Sequence, residues 1–240
     1  MSLMFAELDS QPTRLGVISL RRRKEMSLGG TEVYEVKLGE EFLMSSHFHV
    51  SETELALLGL AATKGDGPLD VVVGGLGLGY TAATALKDNR VGSLLIVEAL
   101  GPVISWHQRH LVPLGAQLAE DPRCRFVEGD FFALAQSKNG FDPESPQRRF
   151  HAILLDIDHA PGHVLNEGHR PFYQPAGLAK LAEHLHPGGI FALWSNDPPE
   201  EDFMVALGSQ FEEARAEIVR FPNPYQNREA TATIYLGRKP

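Results

Sequence analysis

The sequence predicts an α/β protein: a doubly wound, mostly parallel seven-stranded sheet with one antiparallel edge strand, preceded by a small N-terminal β unit. Three observations predict it. From about residue 69 onward, short apolar runs alternate with helix-compatible stretches, the pattern of a parallel sheet covered on both faces. The run Asp70-Val-Val-Val-Gly-Gly-Leu-Gly-Leu-Gly79 passes from a buried-type strand into a glycine turn, and the small residues 81–86 continue as a helix. The last two β-rich runs, 217–221 and 230–236, have no helix between them and read as a closing hairpin.

The elements follow in order. Residues 14–20, 32–37 and 41–44 read as three antiparallel strands, with Gly29-Gly30 and Gly39 in the turns. The basic run Arg21-Arg-Arg-Lys24 between them reads as a solvated strand end. Ser51 is expected to cap the next helix, with Glu54 closing a capping box. After the glycine strand come strand 93–97 ending at Glu98, helix 102–114, strand 125–127, and an apolar helix starting at Phe131. Residues 138–149 are polar and contain proline, a loop. Strand 150–155 ends at Asp156. Helix 177–186 closes on Pro187-Gly-Gly189, strand 190–194 and helix 203–213 follow, and the hairpin turns through Pro222-Asn-Pro-Tyr225. The expected division is an N-terminal β unit over residues 1–50 and an α/β domain over 51–240.

At 240 residues the chain holds one sizeable core with a small appendage. No apolar run is long enough to span a membrane, and no secretory signal opens the chain, whose Met1-Ser-Leu-Met4 offers two starts. The single cysteine, Cys124, excludes an internal disulfide framework and fits a reducing cytoplasm. A net charge of −9 disfavours a nucleic-acid partner and is compatible with a cationic small molecule.

In an open parallel sheet, ligands bind at the carboxyl ends of the strands, and this sequence puts acids there. Gly75, Gly77 and Gly79 bring backbone N–H groups and a helix start towards such a ligand, or simply make a tight turn. Glu98, nineteen residues beyond Gly79, has the spacing of a carboxylate that holds ribose hydroxyls, or is a solvated strand end. Asp130 can accept from an adenine amino group and can equally cap the helix at Phe131. Dinucleotide folds do not call for an acid there, which points to an adenosyl thioether or sulfonium. Asp156 and Asp158 lie where such a ligand's reactive carbon would sit, able to bind an amine, help remove its proton and offset a sulfonium charge, or to cap the turn. A rival reading is a metal site built from Asp156, Asp158, His159, His163 and His169, which Pro161 and Gly162 disfavour as a clean helical face. No metal is expected.

These residues resemble the spermidine synthases, the polyamine aminopropyltransferases, within the Rossmann-like, methyltransferase-type fold of transferases that use S-adenosylmethionine. Val97-Glu-Ala-Leu-Gly-Pro-Val-Ile104 resembles the family's V-E-I-D-x-x-V-I segment. Asp121-Pro-Arg-Cys-Arg-Phe-Val-Glu-Gly-Asp130 is similar to its stretch ending in Gly-Asp, residues 150–156 to the strand that delivers its catalytic aspartate, and Phe172-Tyr173 to its aromatic pair. The resemblance implies that Glu98 binds ribose, Asp130 adenine, and that Asp156 acts on the attacking amine. Three departures concern the other half of the pocket. The family's G-G-G-D-G-G is here Gly74-Gly-Leu-Gly-Leu-Gly79, without the acid that holds an aminopropyl ammonium. Its D-S-S-D-P is Asp156-Ile-Asp-His-Ala-Pro161, with the second acid one place early. Its upstream Tyr-Gln-Glu or Tyr-His-Glu is replaced by Glu52-Thr-Glu54.

The resemblance implies a cytoplasmic transferase that moves an aminopropyl or related alkyl group from decarboxylated S-adenosylmethionine, or another adenosyl sulfonium, to an amine or polyamine acceptor. The missing motif acid keeps two alternatives open: a methyltransferase using S-adenosylmethionine, and a non-catalytic adenosyl-nucleoside-binding protein. No nucleic acid and no membrane are expected as partners, and the β unit makes a homodimer an expectation.

Overall fold

The structure, a computed structural model, describes residues 4–223 and 228–240. Four antiparallel strands open the chain: β1 (Phe5–Thr13), β2 (Gly16–Glu25), β3 (Thr31–Leu38) and β4 (Glu41–Ser45), hydrogen-bonded in that order. Helix α1 (Val50–Ala62) leads to β5 (Leu69–Gly74), α2 (Tyr80–Ala85), β6 (Val91–Glu98), α3 (Gly101–Gln108), α4 (Gly115–Glu120), β7 (Cys124–Glu128), α5 (Phe131–Gln136) and β8 (Phe150–Leu155). A 3-10 helix, Glu167–Tyr173, precedes α6 (Pro175–Glu183), β9 (Leu185–Ser195), α7 (Glu201–Gly208), β10 (Glu212–Asn223) and β11 (Arg228–Arg238). The large sheet runs β10-β11-β9-β8-β5-β6-β7. Its one reversed strand, β11, pairs antiparallel with both β9 and β10, and the pairings from β9 to β7 are parallel.

The apolar runs behave as two-faced strands. Val71 and Val73 join one core cluster with Leu94, Ile96, Ala152 and Leu154, while Val72 joins a second with Leu95, Ile153 and Leu155. Alternate residues of each strand thus serve opposite layers, which is why these strands carry no polar face. The first cluster also takes in Ile18, Leu20 and Val36 from β2 and β3, so the N-terminal sheet is packed into the same core as the large one.

Several local expectations are corrected. The N-terminal sheet has four strands rather than three. β1 lies at its edge, is never fully buried, and contains Asp9 and Pro12, a composition that an edge tolerates and that hides the strand. Arg21–Lys24 lies inside β2, where Arg21 and Arg23 pair with Glu7 and Glu35 on the flanking strands. Helix α1 starts earlier than expected, with His49 at its N-cap and no side-chain cap, so Ser51 is inside the first turn and its hydroxyl donates to Glu52 at 2.8 Å. The segment 102–114 breaks after Gln108, where His110 adopts a left-handed φ of 56°. Pro187-Gly-Gly189 belongs to β9 rather than closing a helix. The expected hairpin turn lies outside the described residues at 224–225. No helix among the described residues is long and apolar enough to cross a membrane.

Candidate active site

A cavity of about 920 Å³ opens over the carboxyl ends of the parallel strands and is walled by the N-terminal sheet and the β10–β11 hairpin. Glu98, Asp130, Asp156, Gly75 and Gly77 all line it; Gly79 and Asp158 do not. The structure therefore gathers five of the seven residues singled out from the sequence.

The glycine turn is dictated by close approach. Gly75 has φ +94°, and a Cβ there would stand 2.1 Å from the Asp156 carbonyl oxygen. At Gly77 (φ +48°) a Cβ would stand 2.4 Å from the Met44 sulfur, which accepts the Leu78 N–H at 3.2 Å. The end of the N-terminal sheet thus fills the space that a side chain at position 77 would need. Gly79 caps α2 with φ +92° and is packed against Leu118 and His107, so its glycine answers to protein packing rather than to the cavity. Burial pushes His107 down to about 4, so the ring is neutral, and its Nε2–H donates to the Gly77 carbonyl at 2.9 Å, fixing the turn from behind.

Glu98 ends β6 and faces the same turn. Its two carboxylate oxygens accept the N–H groups of Leu76 at 3.0 Å and Leu100 at 2.9 Å. Burial raises its pKa and these amides oppose the rise. Each oxygen retains a lone pair for a ligand hydroxyl. Asp130 performs the capping role: its Oδ1 accepts from Phe132 and Ala133, leaving Oδ2 available at the cavity.

Asp156 stands at the end of β8, anchored by its own N–H to the Gly74 carbonyl at 2.8 Å, and its Oδ2 accepts the Thr81 hydroxyl at 2.7 Å. Burial pushes its carboxyl up to about 6. Facing it is Glu52 of α1, 8% exposed, whose carboxyl is pushed up to about 8 by burial and by the charge of Asp156. The sequence displays Glu52 as part of a helix start and of the Glu52-Thr-Glu54 that replaces the resembled family's Tyr-Gln-Glu, but not as a neighbour of Asp156. The two lie more than a hundred residues apart and meet only once α1 packs on the sheet. Tyr80, at the start of α2, also lines this wall, its ring stacked on His49 at 4.2 Å.

Asp158 is corrected as a cavity acid. It is 1% exposed, and its oxygens accept from the Leu165 N–H at 2.8 Å, His169 Nδ1 at 2.9 Å and the Tyr173 hydroxyl at 2.8 Å. It anchors the segment that leads to α6. The histidines after it divide into two groups: His159 meets Glu41 of β4 at 2.9 Å with the His163 ring 5.0 Å from its own, and His169 is spent on Asp158. Among the described residues, the three His, Cys, Asp or Glu side chains that bring ligand atoms within 4.8 Å of one another are Asp70, His151 and His186, at the opposite end of the sheet. There His151 Nδ1 accepts the Asp70 N–H at 3.0 Å and Arg148 holds the Asp70 carboxylate at 2.5 Å, so two of the three donors are committed.

Fold and cavity define a Rossmann-like, methyltransferase-type α/β protein with a cavity over its strand ends. No family model matches the chain. It is similar to the polyamine aminopropyltransferase of Pyrobaculum islandicum, 25% identical over 200 residues, which is 81% of this chain and 65% of that protein. The chain thus spans a little under two thirds of the length of this curated relative. A spermidine synthase solved in complex with the transition-state analogue AdoDATO aligns over 98% of this chain and 74% of its own, at a TM-score of 0.72 and 17% identity. The Thermotoga maritima spermidine synthase aligns over 98% and 73%, at 0.71 and 16%. Human methyltransferase-like protein 13 in complex with SAH aligns over 79% and 82%, at 0.61 and 17%. The resemblance to spermidine synthases read from the motifs is therefore found again in the sequence of the curated relative, and the solved structures share the fold.

Proposed function

We propose that the protein is an aminopropyltransferase of the spermidine synthase type, moving a 3-aminopropyl group from decarboxylated S-adenosylmethionine to the nitrogen of a small amine or polyamine. One observation carries the reading. The cavity wall beyond the glycine turn holds two carboxylates, the buried Glu52 and the half-buried Asp156, and no Lys or Arg among the described residues is paired with either. A chain ending in an ammonium suits such a wall, whereas the carboxylate of unmodified S-adenosylmethionine would be repelled by it. Arg14, which also lines the cavity, lies beside Leu100 and Asp130 at the nucleoside end. This favours aminopropyl over methyl transfer.

In this reading Glu98 takes the ribose hydroxyls and Asp130 the adenine amino group through their remaining lone pairs. A neutral amine nitrogen attacks the carbon beside the sulfonium. The C–N bond forms as the C–S bond gives its electron pair to sulfur, which leaves as the thioether of methylthioadenosine. The nitrogen then sheds a proton. Asp156, buried and therefore a stronger base than an exposed aspartate, orients the nitrogen and receives that proton, with Thr81 holding the carboxylate in place.

The reading extends to a reducing cytoplasm, in keeping with a single Cys124 whose thiol burial pushes up to about 12. It extends also to a boundary near residue 50 between β unit and transferase domain, and to a homodimer through the N-terminal sheet, where Phe5, Val17 and Phe42 are about half exposed. The test is direct. Incubation with decarboxylated S-adenosylmethionine and 1,4-diaminobutane should release methylthioadenosine and lengthen the amine by one aminopropyl unit, read by mass spectrometry. A methylated amine formed from S-adenosylmethionine, with no reaction of the decarboxylated donor, would replace this reading with methyl transfer.

A further inference from the structure

Glu52 and Asp156 form an unusual pair for a protein interior. Both carboxylates line the cavity, and each has one oxygen bound to a neighbouring hydroxyl: Glu52 Oε2 accepts from Ser51 at 2.8 Å and Asp156 Oδ2 from Thr81 at 2.7 Å. Among the described residues no side-chain donor reaches Glu52 Oε1 or Asp156 Oδ1. The titratable groups around the pair include Tyr80 of α2, His49 stacked on the Tyr80 ring with a buried Nδ1 that has no hydrogen-bond partner, and, lining the same cavity, His159 paired with Glu41 at 2.9 Å. Among the described residues no Lys or Arg pairs with either carboxylate. Thr81 lies between the two residues, its hydroxyl 2.7 Å from Asp156 Oδ2 and 3.4 Å from the Glu52 carbonyl oxygen. Two desolvated carboxylates this near without a counter-charge are tolerated only with a proton shared between them or a cation brought in from outside.

We propose that Glu52 is a specificity-determining residue that, with Asp156, seats the ammonium of an alkylamine substrate. The proposal rests on the aminopropyl reading and names the residue that would recognise the substrate's charge. The glycine turn is closed to an acid at Gly77 by Met44, so the charge comes from the neighbouring helix α1. The ammonium belongs either to the donor's chain or to the acceptor; both offer the same N–H donors and the same positive charge. With the seat empty, the pair shares a proton near neutral pH, because burial pushes both carboxyls up and the charge of Asp156 raises Glu52 further. An arriving ammonium ionises the pair, and the shared proton leaves to the buffer.

The test is calorimetric titration of wild-type protein and Glu52→Gln with three probes. These are methylthioadenosine, decarboxylated S-adenosylmethionine, and 1,4-diaminobutane with and without methylthioadenosine. Methylthioadenosine carries the nucleoside and no ammonium, so its affinity should be the same in both proteins, which also shows that the variant is folded. One cationic probe should bind Glu52→Gln roughly ten- to a hundredfold more weakly. Loss on the decarboxylated donor assigns the seat to the transferred chain, and loss on the diamine assigns it to the acceptor. Wild-type binding of that probe near pH 7 should release protons, seen as heats that differ between buffers of different ionisation enthalpy, and the variant should release fewer. Equal affinity of both proteins for both cationic probes overturns the proposal, as does a wild-type protein that binds methylthioadenosine and neither cation. Cation binding sensitive to Glu52 without any group transfer would overturn the aminopropyl reading alone and leave the seat standing.

Discussion

The Thr81 hydroxyl donates to the Asp156 carboxylate at 2.7 Å, tying the first turn of α2 to the end of β8. Because α2 follows the glycine turn directly, the same geometry that shapes this end of the cavity aims the carboxylate of Asp156. Thr81→Val keeps the shape and removes the bond. A hydrogen bond to a charged group contributes about 1.5 to 3 kcal/mol, so turnover should fall by on the order of tenfold. Asp156→Asn should cost on the order of a hundredfold or more, with methylthioadenosine binding little changed in either variant. The Thr81 hydroxyl favours the ionised carboxylate and so lowers the Asp156 pKa against the larger effect of burial. In Thr81→Val the base is therefore protonated at higher pH, and the acid limb of kcat/KM should move upward. An unmoved acid limb would show that Asp156 is not the group titrating.

Glu98 has two tasks, holding the amides of Leu76 and Leu100 and presenting lone pairs to the cavity. A simple loss of affinity in a variant would mix them. The ribose role is isolated by a cycle in which wild type and Glu98→Gln are each titrated with methylthioadenosine and its 2′-deoxy form. Wild type should prefer the hydroxylated nucleoside at least tenfold, the scale of one charge-assisted bond, and the preference should largely vanish in the variant. An undiminished preference would remove Glu98 from the ribose site and leave it as the brace of the turn.

The large sheet was legible because strands buried on both faces cannot hide: Val71 to Val73 have nowhere polar to point. The acids at strand ends were legible for the complementary reason, since Glu98 ends the apolar β6, Asp156 follows directly on the apolar β8, and Asp130 comes two residues after β7. What the sequence concealed depends on contacts between distant segments. Glu52 reads as an ordinary first-turn acid until α1 lays it against Asp156. Asp158 reads as a site acid until His169 and Tyr173 fold back to take its oxygens. β1 escaped notice because an edge strand buried on one side needs no apolar run.

The polar segment 138–149 read as a plain loop, yet it carries Asp142, 2% exposed between two arginines. Its Oδ1 meets Arg125 at 2.5 Å and its Oδ2 meets Arg148 at 2.9 Å. Burial alone would raise its pKa, but the two guanidinium groups and the loop amides outweigh burial and hold the carboxyl below its ordinary value. A group lowered in the folded state contributes stability above its unfolded pKa, about 3.9, and that contribution is lost as the pH falls through the folded value. Thermal unfolding should therefore show an acid-side decline beginning near pH 4. Asp142→Asn should lower Tm at pH 7 by on the order of 5 to 10 °C and flatten that decline. A Tm within a degree of wild type at pH 7 would mean that the arginines find equivalent partners in solvent.

Asp158 gives the sharpest separation between building a site and acting in it. If it shared proton transfer with Asp156, removing its charge alone would cost on the order of a hundredfold in turnover. The structure gives it a different occupation. Its oxygens are taken by Leu165, His169 and Tyr173, it does not line the cavity, and the His169 ring it holds is stacked on Phe132 at 3.8 Å. His169 and Asn166 do line the cavity, so Asp158 acts on the site through them. Asp158→Asn keeps an oxygen for Leu165 or His169 and can donate to the Tyr173 oxygen, so turnover should stay within about tenfold. Asp158→Ala leaves buried donors unmatched at about 1 to 3 kcal/mol each. It should lower Tm by several degrees and raise KM for the amine, with methylthioadenosine affinity held by Glu98 and Asp130. A hundredfold loss of kcat in Asp158→Asn, at unchanged Tm and nucleoside affinity, would return Asp158 to the reacting groups and give Asp156 a partner for its proton.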